Sequence, residues 1–135
     1  EGVGHHDLTP GNAGVAATRT AYREMEGADV YAGWGPSGDH WLGYTQTGEW
    51  TRYLADVRSS GMHTLTFYVG TQSATDAIAV TIDGAAPIRV PLPDTGSWGN
   101  FQPASASVSL EPGPHLIQLT FTGGFQMDYF TIEAP

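Results

Sequence analysis

Thr64-Leu65-Thr66-Phe67-Tyr68-Val69 decides the fold. In an extended chain Leu65, Phe67 and Val69 fall on one face and Thr64, Thr66 and Tyr68 on the other. A period of two with one polar face predicts a strand covered on one side only. The alternation recurs downstream. Ile78, Val80 and Ile82 alternate with Ala79 and Thr81, and Ile117, Leu119 and Phe121 with Gln118 and Thr120. Strands are predicted over 21–31, 41–46, 49–57, 62–71, 77–83, 87–91, 104–110, 114–122 and 126–133. Between them stand turn formers: Gly35-Pro36-Ser37-Gly38, Ser59-Ser60-Gly61, Asp83-Gly84, Pro93 to Gly96, Glu111-Pro112-Gly113 and Gly123-Gly124. Residues 1 to 20 read as irregular, no run keeps helical spacing, and there is no internal repeat. Eight or nine short strands with tight connections predict an all-β fold, an antiparallel β-sandwich.

The composition agrees and narrows the function. A chain of 135 residues suits one domain, taken here as 1–135. Four Trp, six Tyr and five Phe are enough aromatic residues for a core, so the 18 Gly and 9 Pro mark turns rather than disorder. Fourteen acidic residues oppose five Arg, with no Lys, for a net charge of -9. Such an anion is repelled by phosphate backbones and anionic lipid, which excludes nucleic acid and a polybasic membrane contact. Acidic polysaccharides are disfavoured for the same reason. The absence of Cys removes disulfides, thiol catalysis and zinc–thiolate sites. No apolar run approaches the ~18 residues of a membrane span. No leader pattern is visible in these residues.

The search for chemistry starts with carboxylates. A glycosidase needs two of them across a cleft. Glu24 with Glu26, Glu49 with Asp56 and Asp94 with Asp128 are pairs on paper, but no local pattern isolates any of them from solvated surface acids. There is no Gly-x-Ser-x-Gly elbow and no phosphate loop. His5-His6-Asp7 lacks a spaced metal partner. His115 shares the parity of Ile117 and Leu119 and reads as a hydrogen-bonded, partly buried side chain. Asp128 has the parity of Phe130 and Ile132, so it reads as an inward carboxylate that needs a cation or protein donors.

The aromatic residues divide by position. Trp50 opens an alternating strand and is expected in the core. Trp34, Trp41, Trp98 and Tyr44 lie in or beside Gly-rich loops. Their faces either cap the ends of the sandwich or stack on the C–H faces of pyranose rings, with Gln126, Asn100 and Gln102 as amides for sugar hydroxyls.

Four segments together resemble carbohydrate-binding module family 6. They are Glu1 to Asn12 with Tyr22-Arg23 and Asp29-Val30; Leu42-Gly43-Tyr44-Thr45-Gln46-Thr47-Gly48-Glu49-Trp50 with Tyr53 and Val57; Pro93 to Trp98; and Gly113 to Phe121 followed by Gly124-Phe125-Gln126-Met127-Asp128-Tyr129-Phe130. The resemblance implies a jelly-roll sandwich of the galactose-binding-domain-like type, without catalysis of its own. It implies a monomeric module covalently linked to a secreted, extracellular glycoside hydrolase, with polysaccharide or oligosaccharide as partner. Tyr44 and Trp98 fall on the family's two sugar-stacking rings. Gln126 falls on its amide, where the family more often has Asn, and the extra methylene moves the amide by ~1.5 Å. Trp34 and Trp41 are candidates to extend the cleft. The family's structural calcium falls on Asp128 and a backbone carbonyl near Arg23. The family's usual opening strand, whose acid also holds calcium, is not matched. The early segment resembles modules attached to β-1,3-glucanases, so β-1,3-glucan such as laminarin is the first ligand expected, with agarose, xylan and cellulose as alternatives. A small glycosidase and a protein-interaction sandwich are the competing classes.

Overall fold

The computed structural model describes residues 4–6, 8, 21–22, 29–33, 35–38 and 40–135. Eleven strands are β1 (His5–His6), β2 (Ala21–Tyr22), β3 (Val30–Ala32), β4 (His40–Leu42), β5 (Trp50–Val57), β6 (Gly61–Thr71), β7 (Thr75–Ile82), β8 (Ile88–Leu92), β9 (Ser97–Leu110), β10 (Gly113–Phe121) and β11 (Gln126–Glu133). They form a five-stranded sheet, β1-β5-β10-β7-β8, and a six-stranded sheet, β2-β3-β4-β11-β6-β9, with every pairing antiparallel. There is no helix among the described residues.

The predicted alternation builds the core. Leu65, Phe67 and Val69 from one sheet meet Ile78, Val80, Ile117, Leu119 and Phe121 from the other, all buried. Burying each such side chain contributes about 1.5–3 kcal/mol. Phe130 stacks on Phe67 and meets Tyr53 edge to face, tying the two layers.

Four local readings are corrected by the structure. Of the run 21–31 the described residues form β2 and β3, and 41–46 yields only β4, because the chain leaves the sheet at Gly43. Strand β9 starts at Ser97 rather than 104, so Trp98 lies at a strand end and not in a loop. Trp50 faces outward and is half-buried: it shares its face with Arg52 and Leu54, whereas Tyr53 and Ala55 pack on the core. The Arg52 guanidinium lies 4.2 Å over the Trp50 ring and its Nε donates to Gln118 Oε1. The fourth concerns β11. Its register on β6 shifts between Met127, opposite Val69, and Phe130, opposite Phe67. Two residues, Asp128 and Tyr129, therefore oppose Tyr68 alone. Such a bulge re-aims side chains. Met127 and Phe130 both pack on the core, Tyr129 stacks on Tyr68, and Asp128 meets the loop at Ser37.

His115 behaves as its parity suggested. Its Nδ1 lies 2.6 Å from Asp83 Oδ2 and its Nε2 lies 2.7 Å from the Glu111 carbonyl. Both partners are acceptors, so both ring nitrogens must carry a proton for both bonds to form. Asp83 sits in the Asp83-Gly84 turn, where both residues have positive φ, and its Oδ1 accepts the Leu116 N–H. The Glu111 carbonyl and then the Asp83 carboxylate raise the His115 pKa above 6.5. The His115 ring and then the Leu116 N–H lower that of Asp83 below 3.8. The sign follows from linkage. The His115 contribution is complete below pH 6.5 and is lost as pH rises through its folded value. The Asp83 contribution is present above pH 3.8 and is lost as pH falls through its folded value. Thermal melts across pH should therefore show the clasp strongest between these two values, with melting temperature falling on the alkaline side. His115→Gln should flatten that alkaline limb.

Candidate functional site

At one end of the sandwich three connections converge on a cleft of about 430 Å³. The β4–β5 connection supplies Tyr44, Thr45 and Gln46, the start of β9 supplies Trp98, and the β10–β11 connection supplies Gly124, Phe125 and, at the strand start, Gln126.

The Tyr44 side is pinned from both flanks. Thr45 is buried. Its hydroxyl accepts the Phe125 N–H at 2.9 Å and donates toward the Phe125 carbonyl at 3.0 Å, with the Gly123 carbonyl at 3.2 Å. One hydroxyl thus locks two connections that lie 80 residues apart in the chain. The far end of the same connection closes on Glu49. This buried carboxylate accepts the Gln46 N–H at 2.8 Å and the Leu8 N–H at 3.1 Å.

The Trp98 side has its own lock. Thr95 is buried, and its hydroxyl accepts the Thr71 N–H at 2.8 Å. The Thr71 hydroxyl donates to the Pro93 carbonyl. Asp94 caps the turn by accepting the Gly96 N–H at 2.9 Å. Gly70 then lets the chain of Trp98 come close: a Cβ at Gly70 would stand 2.1 Å from the Trp98 carbonyl oxygen. Phe125 forms the base of the cleft, edge-on to Phe121 at 5.1 Å.

Of the residues singled out by sequence, Tyr44, Trp98 and Gln126 come together here. Gln126 is half-buried, and its side-chain oxygen is enclosed without a hydrogen-bond partner among the described residues. Trp41 does not line the cleft. It is 4% exposed and stacks on Tyr31 at 4.3 Å, so it lies behind the wall instead of extending it. Trp34 lies outside the described residues. Asn100 donates to the Thr95 carbonyl and so props the Trp98 turn. Gln46, Gly124 and Phe125 were not anticipated. Gln46 had a signal, an amide two residues beyond Tyr44, whereas the position of Phe125 depends on the Thr45 lock, which sequence does not display.

The described members of the carboxylate pairs do not assemble at the cleft. Among the described residues no acidic side chain lines it. Glu49 is committed to backbone amides, Asp94 to its turn and Asp128 to Ser37, while Glu24 and Glu26 lie outside the described residues. The expected calcium ligands are described only in part. Ser37 donates to both Asp128 oxygens, its N–H at 2.7 Å and its hydroxyl at 2.5 Å. A Cβ at Gly35 would stand 2.8 Å from the Asp128 carboxyl carbon. Among the described residues no three acidic or histidine side chains gather, and Arg23 lies outside them. The carboxylate expected to hold calcium accepts from Ser37, and the backbone carbonyl near Arg23 that would join it lies outside the described residues.

A two-sheet sandwich with an aromatic cleft at one end suits a carbohydrate-binding module. The family described as Carbohydrate binding module (family 6) matches residues 20–134, and the chain belongs to it. It is 32% identical over 124 residues to Endo-1,4-beta-xylanase A of Thermoclostridium stercorarium, covering 84% of this chain and 19% of that protein. The chain thus spans about a fifth of that curated relative's length. Among solved structures it resembles the module CBM6cm-2 from Cellvibrio mixtus lichenase 5A in complex with cellotriose, with TM-score 0.70, 22% identity and coverage of 82% of this chain and 88% of that one. It also resembles CsCBM6-3 from Clostridium stercorarium in complex with cellobiose, with TM-score 0.68, 26% identity and coverage of 80% and 82%.

Gly70→Ala tests the approach that seats Trp98. The added methyl has no room against a backbone carbonyl, so the strands must shift. Overpacking of this kind costs about 1–3 kcal/mol. Denaturant unfolding should show that loss, together with a changed Trp98 environment by near-ultraviolet circular dichroism.

Proposed function

We propose that the cleft binds a neutral polysaccharide by seating a sugar ring between Tyr44 and Trp98, with Gln126 and Gln46 for its hydroxyls. The observation that carries this is the meeting of two accessible aromatic rings with two amides in one cleft, which no charged side chain lines among the described residues. Aromatic faces match the C–H faces of a pyranose, and amides fix its orientation. β-1,3-Glucan is the first ligand, from the likeness of the early segment. Xylan is the second, favoured by the 32% identity to a protein named as an endo-1,4-β-xylanase. In this reading the module is a monomer that holds an attached glycoside hydrolase on its substrate outside the cell. Similarity to a fifth of the xylanase's length supports that arrangement.

Affinity electrophoresis against laminarin, xylan, cellulose derivatives and agarose tests the reading, with calorimetry on the best ligand. One shallow site should give a dissociation constant of about micromolar to millimolar. Trp98→Ala should cost on the order of 1–3 kcal/mol of binding with the fold intact. Full affinity in that variant removes the stacking role. Salt and a chelator should leave affinity unchanged, because the described lining of the cleft offers stacking and neutral hydrogen bonds. Reducing sugar released by the purified chain would return the enzyme reading, and retention of a protein partner in place of any polysaccharide would favour the interaction sandwich.

A further inference from the structure

We infer that Trp41 and Tyr31, which do not line the cleft, are positioning residues that set its affinity by holding Tyr44 in a strained backbone conformation. The inference rests on the proposed sugar-binding role of Tyr44.

Tyr44 has φ 52, in the left-handed region. Among the described residues only one other non-glycine residue does so, Asp83 in its Asp-Gly turn. Asp tolerates that region through local side-chain hydrogen bonds, whereas an aromatic residue gains nothing of the kind. Such a residue persists where its surroundings over-determine it, and it clusters at functional sites.

The surroundings are visible on each side. Gly43 precedes it, buried, with its N–H on the Asp29 carbonyl at 2.9 Å. A Cβ at Gly43 would stand 2.5 Å from the Trp41 ring, so the chain lies flat against that indole. Trp41 in turn stacks on Tyr31 at 4.3 Å and 19°, and Tyr31 meets the Tyr44 ring at 5.7 Å and 39°. Tyr31 is fully buried. Thr45 follows, fixed by its hydroxyl on Phe125. With both neighbours anchored, the turn is taken up at Tyr44 itself. Its ring stands 47% exposed, backed by a buried aromatic stack. A ring held this way has less rotamer freedom to lose when a ligand arrives, which raises affinity without adding a contact.

The test has three arms on the full chain. In the wild type, nuclear magnetic resonance should give a strong intraresidue amide-to-Hα Overhauser effect at Tyr44, the mark of positive φ. Tyr44→Asn should keep the melting temperature and Tyr44→Val should lower it, since Asn accepts this conformation and a β-branched residue resists it. Trp41→Leu should weaken binding of the best polysaccharide about tenfold, which is about 1.4 kcal/mol. It should also weaken the Tyr44 signal, while Trp41→Phe, which preserves the stack, should restore both. Equal binding by Trp41→Leu and wild type overturns the inference alone. Absence of the Overhauser signal in the wild type, or equal melting of the Asn and Val variants, overturns it even if Trp41→Leu fails to fold. A wild-type chain that binds no polysaccharide overturns the proposed function, and this inference with it.

Discussion

A slip of one residue between β6 and its neighbours would turn Leu65, Phe67 and Val69 to water and put Thr64, Thr66 and Tyr68 in the core. The molecule depends on that register. It sets which ends of which strands meet, and the cleft is a meeting of strand ends. Where the register is relaxed, it is relaxed for a purpose the sheet can absorb. The shift between Val69 and Thr71 accommodates the close backbone approach at Gly70, and the bulge in β11 releases Asp128 from alternation.

Two buried threonines carry that register out into the connections. Thr45 binds the β4–β5 connection to the β10–β11 connection, and Thr95 binds the start of β9 to the end of β6. Neither reaches for a ligand. Each replaces the sheet ladder at the point where the ladder stops, because a backbone group buried beyond the last strand pair still needs a partner. The walls of the cleft therefore inherit the rigidity of the core, although they stand outside it.

Sequence revealed what obeys a period and missed what interrupts one. The alternation of β6, β7 and β10 has one polar and one apolar face, so its strands and its core were legible residue by residue. Trp50 was misplaced because an aromatic residue at a strand start resembles core until the parity of Arg52 and Leu54 is weighed against that of Tyr53. Asp128 was read as a buried carboxylate in need of donors and is one, held by Ser37, but the bulge that aims it there leaves no mark in composition. At the cleft, Tyr44, Trp98 and Gln126 were found through family likeness and loop position. The buried Trp41 was drawn in by the same loop position. Only the three-dimensional stack on Tyr31 tells a wall from its backing.

The cleft and the His115 clasp occupy opposite ends of the sandwich, joined by the same strands. Among the described residues the cleft lining contains no carboxylate, imidazole or guanidinium, while the clasp joins an imidazole to a carboxylate. Acidity therefore acts on the two ends differently. The pH dependence expected of the clasp bears on stability, while the described lining of the cleft holds no side chain of those kinds. Stability is thus worked at one pole of the sandwich, and the proposed recognition of a sugar at the other.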